Sequence, residues 1–415
     1  MGRLNDDIMR YEERVLGDLI AIGSDLSSAG GYKRCAELIR EEVEGLGYPA
    51  EIMPSGGDAP RPNVKVEIPG SGPILFASHF DTVPIGPGWT TDPLRLAKSG
   101  DKLYGRGSAD DKGAVAVLLG TLKSIDRAPR IKNGLTLCFT ADEEVGGAMG
   151  LGDLINRLNR LPTFAVIADA GSGKVSCGAS GIVNGEIIIR GKQGHAGYPH
   201  LARNPIQKVP IVLEALAELS ARRERMRSAL NSPEGQPYRK VWGRLSPTII
   251  SGGFKNNVIP PSVTITFDMR LLPEEDMNSA MSELRGAIER LAKAGLADVE
   301  LASSEGGGNY HTDPGHPLVR EFRKVAEAQG CGRGCVGELV GNDGRYTSRK
   351  GIPTVGLGVI DDDSNIHGPD EFVRLTTMER ITKIFKHFLS KPALGNGSRW
   401  SGNSAERAYT WASIS

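Results

Sequence analysis

Two histidines and a set of carboxylates recur in this chain where apolar segments end. His79 follows the run Ile74-Leu75-Phe76-Ala77-Ser78 and stands two positions before Asp81. A metal-binding imidazole needs an acceptor on its second ring nitrogen, and a neighbouring aspartate suits that task. Asp110 lies in the polar loop 105–113, just before the apolar stretch AVAVLLGTLKSI. Glu143 and Glu144 follow LTLCFT, Asp169 follows FAVIA, and His367 lies in the loop beyond PTVGLGVI. Zinc accepts histidine nitrogen and carboxylate oxygen. A two-metal hydrolase site needs one bridging ligand, terminal ligands on each ion, and a free base beside the water between them. The set His79, Asp110, Glu144, Asp169 and His367 supplies one bridge and two terminal ligands per ion. That leaves Glu143 to move the proton. A single His-x-Asp, or an Asp-Glu-Glu turn, reads equally as solvated surface. The shared position at strand ends argues for the site.

The elements that must hold these residues are legible in the same pattern. Helical spacing covers 5–22, with Asn5 and Asp6 as caps, and 32–46 before Gly47. Strands are predicted over 63–68, 74–77, 135–140, 164–168 and 353–360. Strands alternating with helices form an open α/β sheet, and functional residues collect beyond the carboxyl ends of its strands. Between 181 and 303 the order becomes strand 182–190, helix 204–226, strands 248–252 and 263–271, helix 274–294 and strand 298–302. That β-α-β-β-α-β order is ferredoxin-like. It predicts an inserted domain, 181–303, interrupting a catalytic domain made of 1–180 and 304–391. The tail 392–415, rich in Ser, Gly and Asn, is expected to be poorly ordered.

At 415 residues the chain is long enough for two domains. Its 50 acidic and 50 basic residues cancel, so no overall field points to nucleic acid or an anionic membrane. No apolar run approaches the ~18 residues of a membrane span, and the charged N-terminus has no signal-like core. A soluble, cytoplasmic protein is expected. Five scattered cysteines, an odd number, argue against a disulfide framework.

The ordered motifs SHFDTVP, YGRGSADDKG, TADEEVGG, ADAGSGKVSCGASG, GKQGHAGYPHLARNP, NNVIP and NIHGPDEFV together resemble one family. It is the dinuclear zinc family of acetylornithine deacetylase, succinyl-diaminopimelate desuccinylase and the glutamate-releasing carboxypeptidase. The likeness runs from about residue 10 to 390. It implies a zinc-peptidase-like catalytic domain, with an open mixed sheet flanked by helices, and an insertion that serves as lid and dimerisation domain. It implies two zinc ions per chain, with cobalt or manganese as alternatives. His79 and Asp169 would be terminal ligands, one on each ion. Asp110 would be the bridge and Glu144 and His367 the other ligands. Asp81 would orient His79, and Glu143 would be the general acid/base. Asp169 stands where some members carry glutamate.

The resemblance further implies that His195, in GKQGHAGYPH, is donated across a homodimer to stabilise the oxyanion in the partner's site. Asn257 and Arg270 look like positions that grip a substrate carboxylate, although Arg270 reads equally as a solvated or salt-bridged strand residue. Tyr198, Asn342 and Arg345 complete the expected substrate-binding set. The function this predicts is hydrolysis of the amide bond of an N-acyl amino acid, in the manner of a deacetylase or desuccinylase. A dipeptidase or carboxypeptidase acting on short peptides is the alternative within the class. A catalytically silent binding or assembly protein is the alternative outside it.

Overall fold

A strand with no polar interruption has to be covered on both faces, and Ile74–His79 is buried along its whole length. In the computed structural model, which describes residues 6–28, 30–55, 61–125, 131 and 133–391, this strand lies inside an eleven-stranded mixed sheet. Asn5 and the 392–415 tail lie outside the described residues. The order across the sheet begins Glu51–Met53, Asn63–Ile68, Leu135–Thr140, Ile74–His79, Phe164–Ile167 and Thr354–Gly356. It continues through Val175–Ala179, Cys335–Glu338, Arg227–Asn231 and Lys240–Trp242, with Tyr310–His311 paired to Val175–Ala179. Ile74–His79 is parallel to both of its neighbours, Leu135–Thr140 and Phe164–Ile167. The ends that carry His79, the Glu143 turn and Asp169 therefore sit side by side.

Period-two alternation divides this strand between two cores. Ile74 and Phe76 face one core, with helices Asp6–Ile20, Lys112–Ser124, Pro317–Ala328 and Leu375–Leu389. Phe76 meets Phe385 at a ring separation of 4.8 Å. Leu75 and Ala77 face the other core, with Leu151, Leu154, Ile155 and Ile352. Every residue from Lys112 to Leu122 is buried, as expected of a helix apolar all round.

Glu12 is a charged residue set against the first core. It is fully buried, with one carboxylate oxygen accepting from Thr382 Oγ1 at 2.7 Å and the other unpartnered. Burial raises its pKa well above 4.5. A raised acid favours the fold below its unfolded pKa, and that contribution fades as pH climbs towards the folded value. Glu12→Gln removes the penalty. Its expected effect is a gain of about 1 kcal/mol at neutral pH and none near pH 4. Denaturant titrations at the two pH values check this, and equal stability of both proteins at pH 7 refutes it.

The second sheet has the order Arg244–Ser251, Ser262–Leu271, Gly181–Arg190, Val299–Gly307, antiparallel throughout. Val263, Ile265, Phe267, Met269 and Leu271 point inward from Ser262–Leu271 and pack with helices Val209–Arg225 and Met277–Lys293. This is the ferredoxin-like order expected from the sequence, with its own core. Arg227–Asn231 and Lys240–Trp242 depart from that segment. They return to the large sheet, where Arg227–Asn231 pairs in parallel with Cys335–Glu338. Short strands with few apolar residues carry no clear periodic signal, which is why the sequence placed no strand there.

Candidate metal centre

The five predicted ligands come together. His79 Nε2 lies 3.1 Å from Asp110 Oδ1. His367 Nε2 lies 3.1 Å from Asp110 Oδ2 and 3.3 Å from Glu144 Oε2. Asp110 thus turns one oxygen to each histidine. Ligand atoms of His79, Asp110 and Asp169 all lie within 4.8 Å of one another, as do those of Asp110, Glu144 and His367. Asp110 is common to both groups. The division between the groups differs from the expectation that His79 and Asp169 serve different ions, because the two share one group. The sheet explains it: Ile74–His79 and Phe164–Ile167 are adjacent parallel strands, so their ends are neighbours. Glu144 and His367 come from loops on the other side of Asp110.

The electrostatics describe an excess of negative charge. Burial raises Asp169 well above its ordinary value, and Asp110 and Glu143 add to the rise. Burial likewise raises Glu143, reinforced by Asp343, Asp110 and Glu144. Asp343 is pushed up to about 7 by burial, against the pull of Arg345. Hydrogen bonds to Asp110 and Glu144 raise His367 to about 10. Asp110 is lowered, because those bonds from His367 and His79 outweigh its burial. Glu144 Oε1 is buried with no hydrogen-bond partner. A mixed nitrogen and oxygen donor set, short of cations and with an unsatisfied carboxylate oxygen, fits a pair of divalent ions.

Asp81 meets both His79 and the glutamate turn. His79 Nδ1 lies 3.1 Å from the Asp81 backbone oxygen and 3.4 Å from Oδ1. The same carboxylate accepts from the backbone N–H of Glu143 at 3.3 Å and of Glu144 at 3.0 Å. Adjacent glutamates need an irregular backbone to take different roles, and Glu143–Val145 is a single 3-10 turn. It closes at Gly146 and Gly147, with φ of 110° and 66°, which only glycine adopts without strain. A Cβ on Gly147 would also fall 2.0 Å from Asp343 Oδ1.

Sequence reasoning missed several supports. Asp111 takes a 2.6 Å bond from Ser78 Oγ, and Arg61 Nε donates to Asp142 Oδ1 at 3.1 Å. Asp111 and Asp142 lie inside the motifs ADDKG and ADEE, next to the ligands that drew attention away from them.

The expected substrate-binding residues divide. Asn342 lines the cavity of about 680 Å³ at the centre, together with Asp110, Glu143, Glu144, Asp169 and His367. Arg345 donates to the Gly146 backbone oxygen at 2.6 Å, so it braces the glutamate turn. His195, Tyr198, Asn257 and Arg270 do not line this cavity. Arg270 forms a two-pronged pair with Asp268 on its own strand, at 2.8 and 3.1 Å. His195 is exposed, accepts from Gly197 N–H at 3.0 Å and sits 5.5 Å from the Tyr198 ring. Asn257 is exposed too, its backbone oxygen accepting from Ala196 N–H at 2.9 Å.

Fold and donor set together define a metal-dependent hydrolase on a large mixed α/β sheet. Residues 75–391 match the profile of peptidase family M20/M25/M40, and the chain belongs to that family. It is similar to the succinyl-diaminopimelate desuccinylase of Gluconobacter oxydans, 29% identical over 390 residues, which cover 90% of this chain and 95% of the relative. Its fold matches the M20 family metallo-carboxypeptidase of Sulfolobus solfataricus with a TM-score of 0.72 at 19% identity, over 91% of this chain and 98% of that one. It also matches a dinuclear metal-binding M20 peptidase of Bacillus subtilis, with a TM-score of 0.63 at 15% identity, over 93% of this chain and 98% of the other. The silent binding protein is thereby set aside. Among the described residues, no helix is long and apolar enough to cross a membrane.

Proposed function

We propose that this chain hydrolyses the amide bond of an N-acyl amino acid at a pair of zinc ions held by His79, Asp110, Asp169, Glu144 and His367. The observation that carries the reading is Asp110, shared between two donor groups, with Glu143 in the same cavity but in neither group. Bound there, the ions would supply Lewis acidity and lower the pKa of water. Glu143 takes the proton from the attacking water and returns it to the nitrogen as the C–N bond breaks. Its place in the cavity beside both donor groups, in neither of them, suits a group that accepts a proton and later gives it back. Asp81 holds the imidazole of His79 and the turn of Glu143 in register.

His195 would act on the oxyanion in a partner protomer's site, with Asn257 and Tyr198 beside it to meet the substrate. Three features support a homodimer through the inserted domain. Arg244–Ser251 is an edge strand, residues 246–251 are exposed, and Ile249, Ile250 and Phe254 are 59%, 52% and 70% exposed. An apolar edge of that kind invites pairing.

One observation keeps the peptidase reading alive. Beyond the candidate ligands the cavity lining includes Glu338 and Asp362, while Asp361 is paired with Arg374 at 3.0 Å and the Lys174 of the lining pairs with Glu234 at 2.8 Å. Such a wall favours a substrate with a free amine. The test is elemental analysis plus turnover of acyl-amino acids and dipeptides, before and after chelation. About two zinc per chain and chelator-sensitive cleavage of acyl-amino acids are expected. Faster dipeptide turnover would select the peptidase, and no turnover of either would refute both readings.

A further inference from the structure

A small sheet brings the Asp110 loop against the His367 loop. Ala97–Ser99 and Lys102–Tyr104 form a hairpin, and Phe372–Arg374 pairs with Lys102–Tyr104. Arg106 follows one strand and Glu371 precedes another, and the two are 2% and 0% exposed. Glu371 Oε2 accepts from Arg106 Nη1 at 2.7 Å and from Gly107 N–H at 3.0 Å. Its Oε1 accepts from the N–H groups of Ala109 at 2.9 Å and Asp110 at 3.0 Å. The other end of the guanidinium, Nη2, donates to the backbone oxygens of His367 and Gly368, both at 3.2 Å. His367 itself has φ of 62°, a left-handed conformation unfavourable for a side-chain-bearing residue.

Desolvating two charges is costly, so a buried pair is a poor way to add stability. What distinguishes this one is where its bonds go. Four donors converge on one carboxylate, all from the loop that carries Asp110 and three of them backbone N–H groups. The same arginine also grips the carbonyl of His367 and the one after it. A lysine offers one ammonium in place of the planar fork and cannot make these bonds together.

We infer that Arg106 and Glu371 are positioning residues that set the spacing between Asp110 and His367, so that the donor group of Asp110, Glu144 and His367 is assembled before an ion arrives. The inference rests on the ligand reading above. Neither residue belongs to a donor group or lines the cavity. They act through the backbone, as outer supports of metal ligands do.

The test is a zinc titration of the full chain after chelator stripping, with Glu371→Gln and Arg106→Lys beside the wild type. Thermal unfolding is followed with and without zinc. In each variant one of the two zinc affinities is expected to fall about 10- to 100-fold, the other much less. The rise in Tm on adding zinc shrinks, and kcat falls more than KM changes. A role in stability alone would lower Tm equally in both forms and leave the affinities untouched. That result in either folded variant overturns the inference. So does failure of both variants to fold without metal, because the pair would then be a tie of the whole domain. If the wild type takes up no zinc, the ligand reading fails and the strap falls with it. If the wild type binds two ions and the variants bind them equally well, only the strap fails.

Discussion

Glu143→Gln is expected to lower kcat by about 10²–10⁴-fold while the chain still binds two zinc ions. The reason lies in the division of labour at one turn. Glu144 belongs to a donor group with Asp110 and His367, whereas Glu143 belongs to neither group and lines the same cavity. Glutamine preserves volume and leaves the bond from the residue-143 N–H to Asp81 in place. What it removes is the capacity to accept a proton. KM should therefore change little. The metal-free protein should lose no stability, since the substitution relieves a buried carboxyl crowded by Asp343, Asp110 and Glu144. Elemental analysis and steady-state kinetics on one preparation decide it. Turnover within a few-fold of wild type would exclude Glu143 as the base. Loss of metal would instead make it a ligand.

The second large effect concerns His195. Within one chain it is exposed and does not line the cavity at the metal centre. If it serves a partner's site, His195→Ala should cost about 10²–10³-fold in kcat, as loss of an oxyanion donor does, with zinc content unchanged. Complementation gives the sharper readout. Glu143→Gln and His195→Ala chains are each nearly inactive alone. After subunit exchange, half the dimers are mixed, and each mixed dimer holds one site with both residues intact. About a quarter of wild-type activity should return if the dimer is two-fold symmetric. No recovery despite demonstrated exchange would place His195 outside the partner's chemistry. The exposed edge at Ile249, Ile250 and Phe254 is where a substitution to lysine should block exchange.

How much of this was readable beforehand depended on whether the signal was local. The buried strands at 63–68, 74–77 (which runs on to His79) and 135–140 were legible, because an apolar or alternating run is a property of consecutive residues. The ferredoxin-like order of the second sheet followed from the same periodicity. So did the placing of candidate ligands at strand ends, since a polar His, Asp or Glu closing a buried strand is visible in one dimension. The excursion of Arg227–Asn231 and Lys240–Trp242 into the large sheet was not legible, because pairing with Cys335–Glu338 is a choice between distant segments.

The five candidate ligands do come together, but His79 and Asp169 fall in one donor group where the sequence reading set them on different ions. The sequence places His79 and Asp169 far apart, and only the parallel pairing of their strands makes them neighbours. Arg345 and Arg270 illustrate the converse. Their chemistry suits a carboxylate, yet one braces Gly146 and the other is taken up by Asp268. Glu371 and Arg106 were present in recognised motifs with no role assigned. Their role is a set of bonds to backbone groups, and no residue type announces those. The sequence by itself thus determined the fold class, the family and which side chains could bind metal, because each depends on residue type and short-range order. The tertiary structure alone decided which candidate donors stand together, which charged groups are already satisfied, and which loops are held together. Those follow from through-space distances of a few ångströms between residues that the chain keeps far apart.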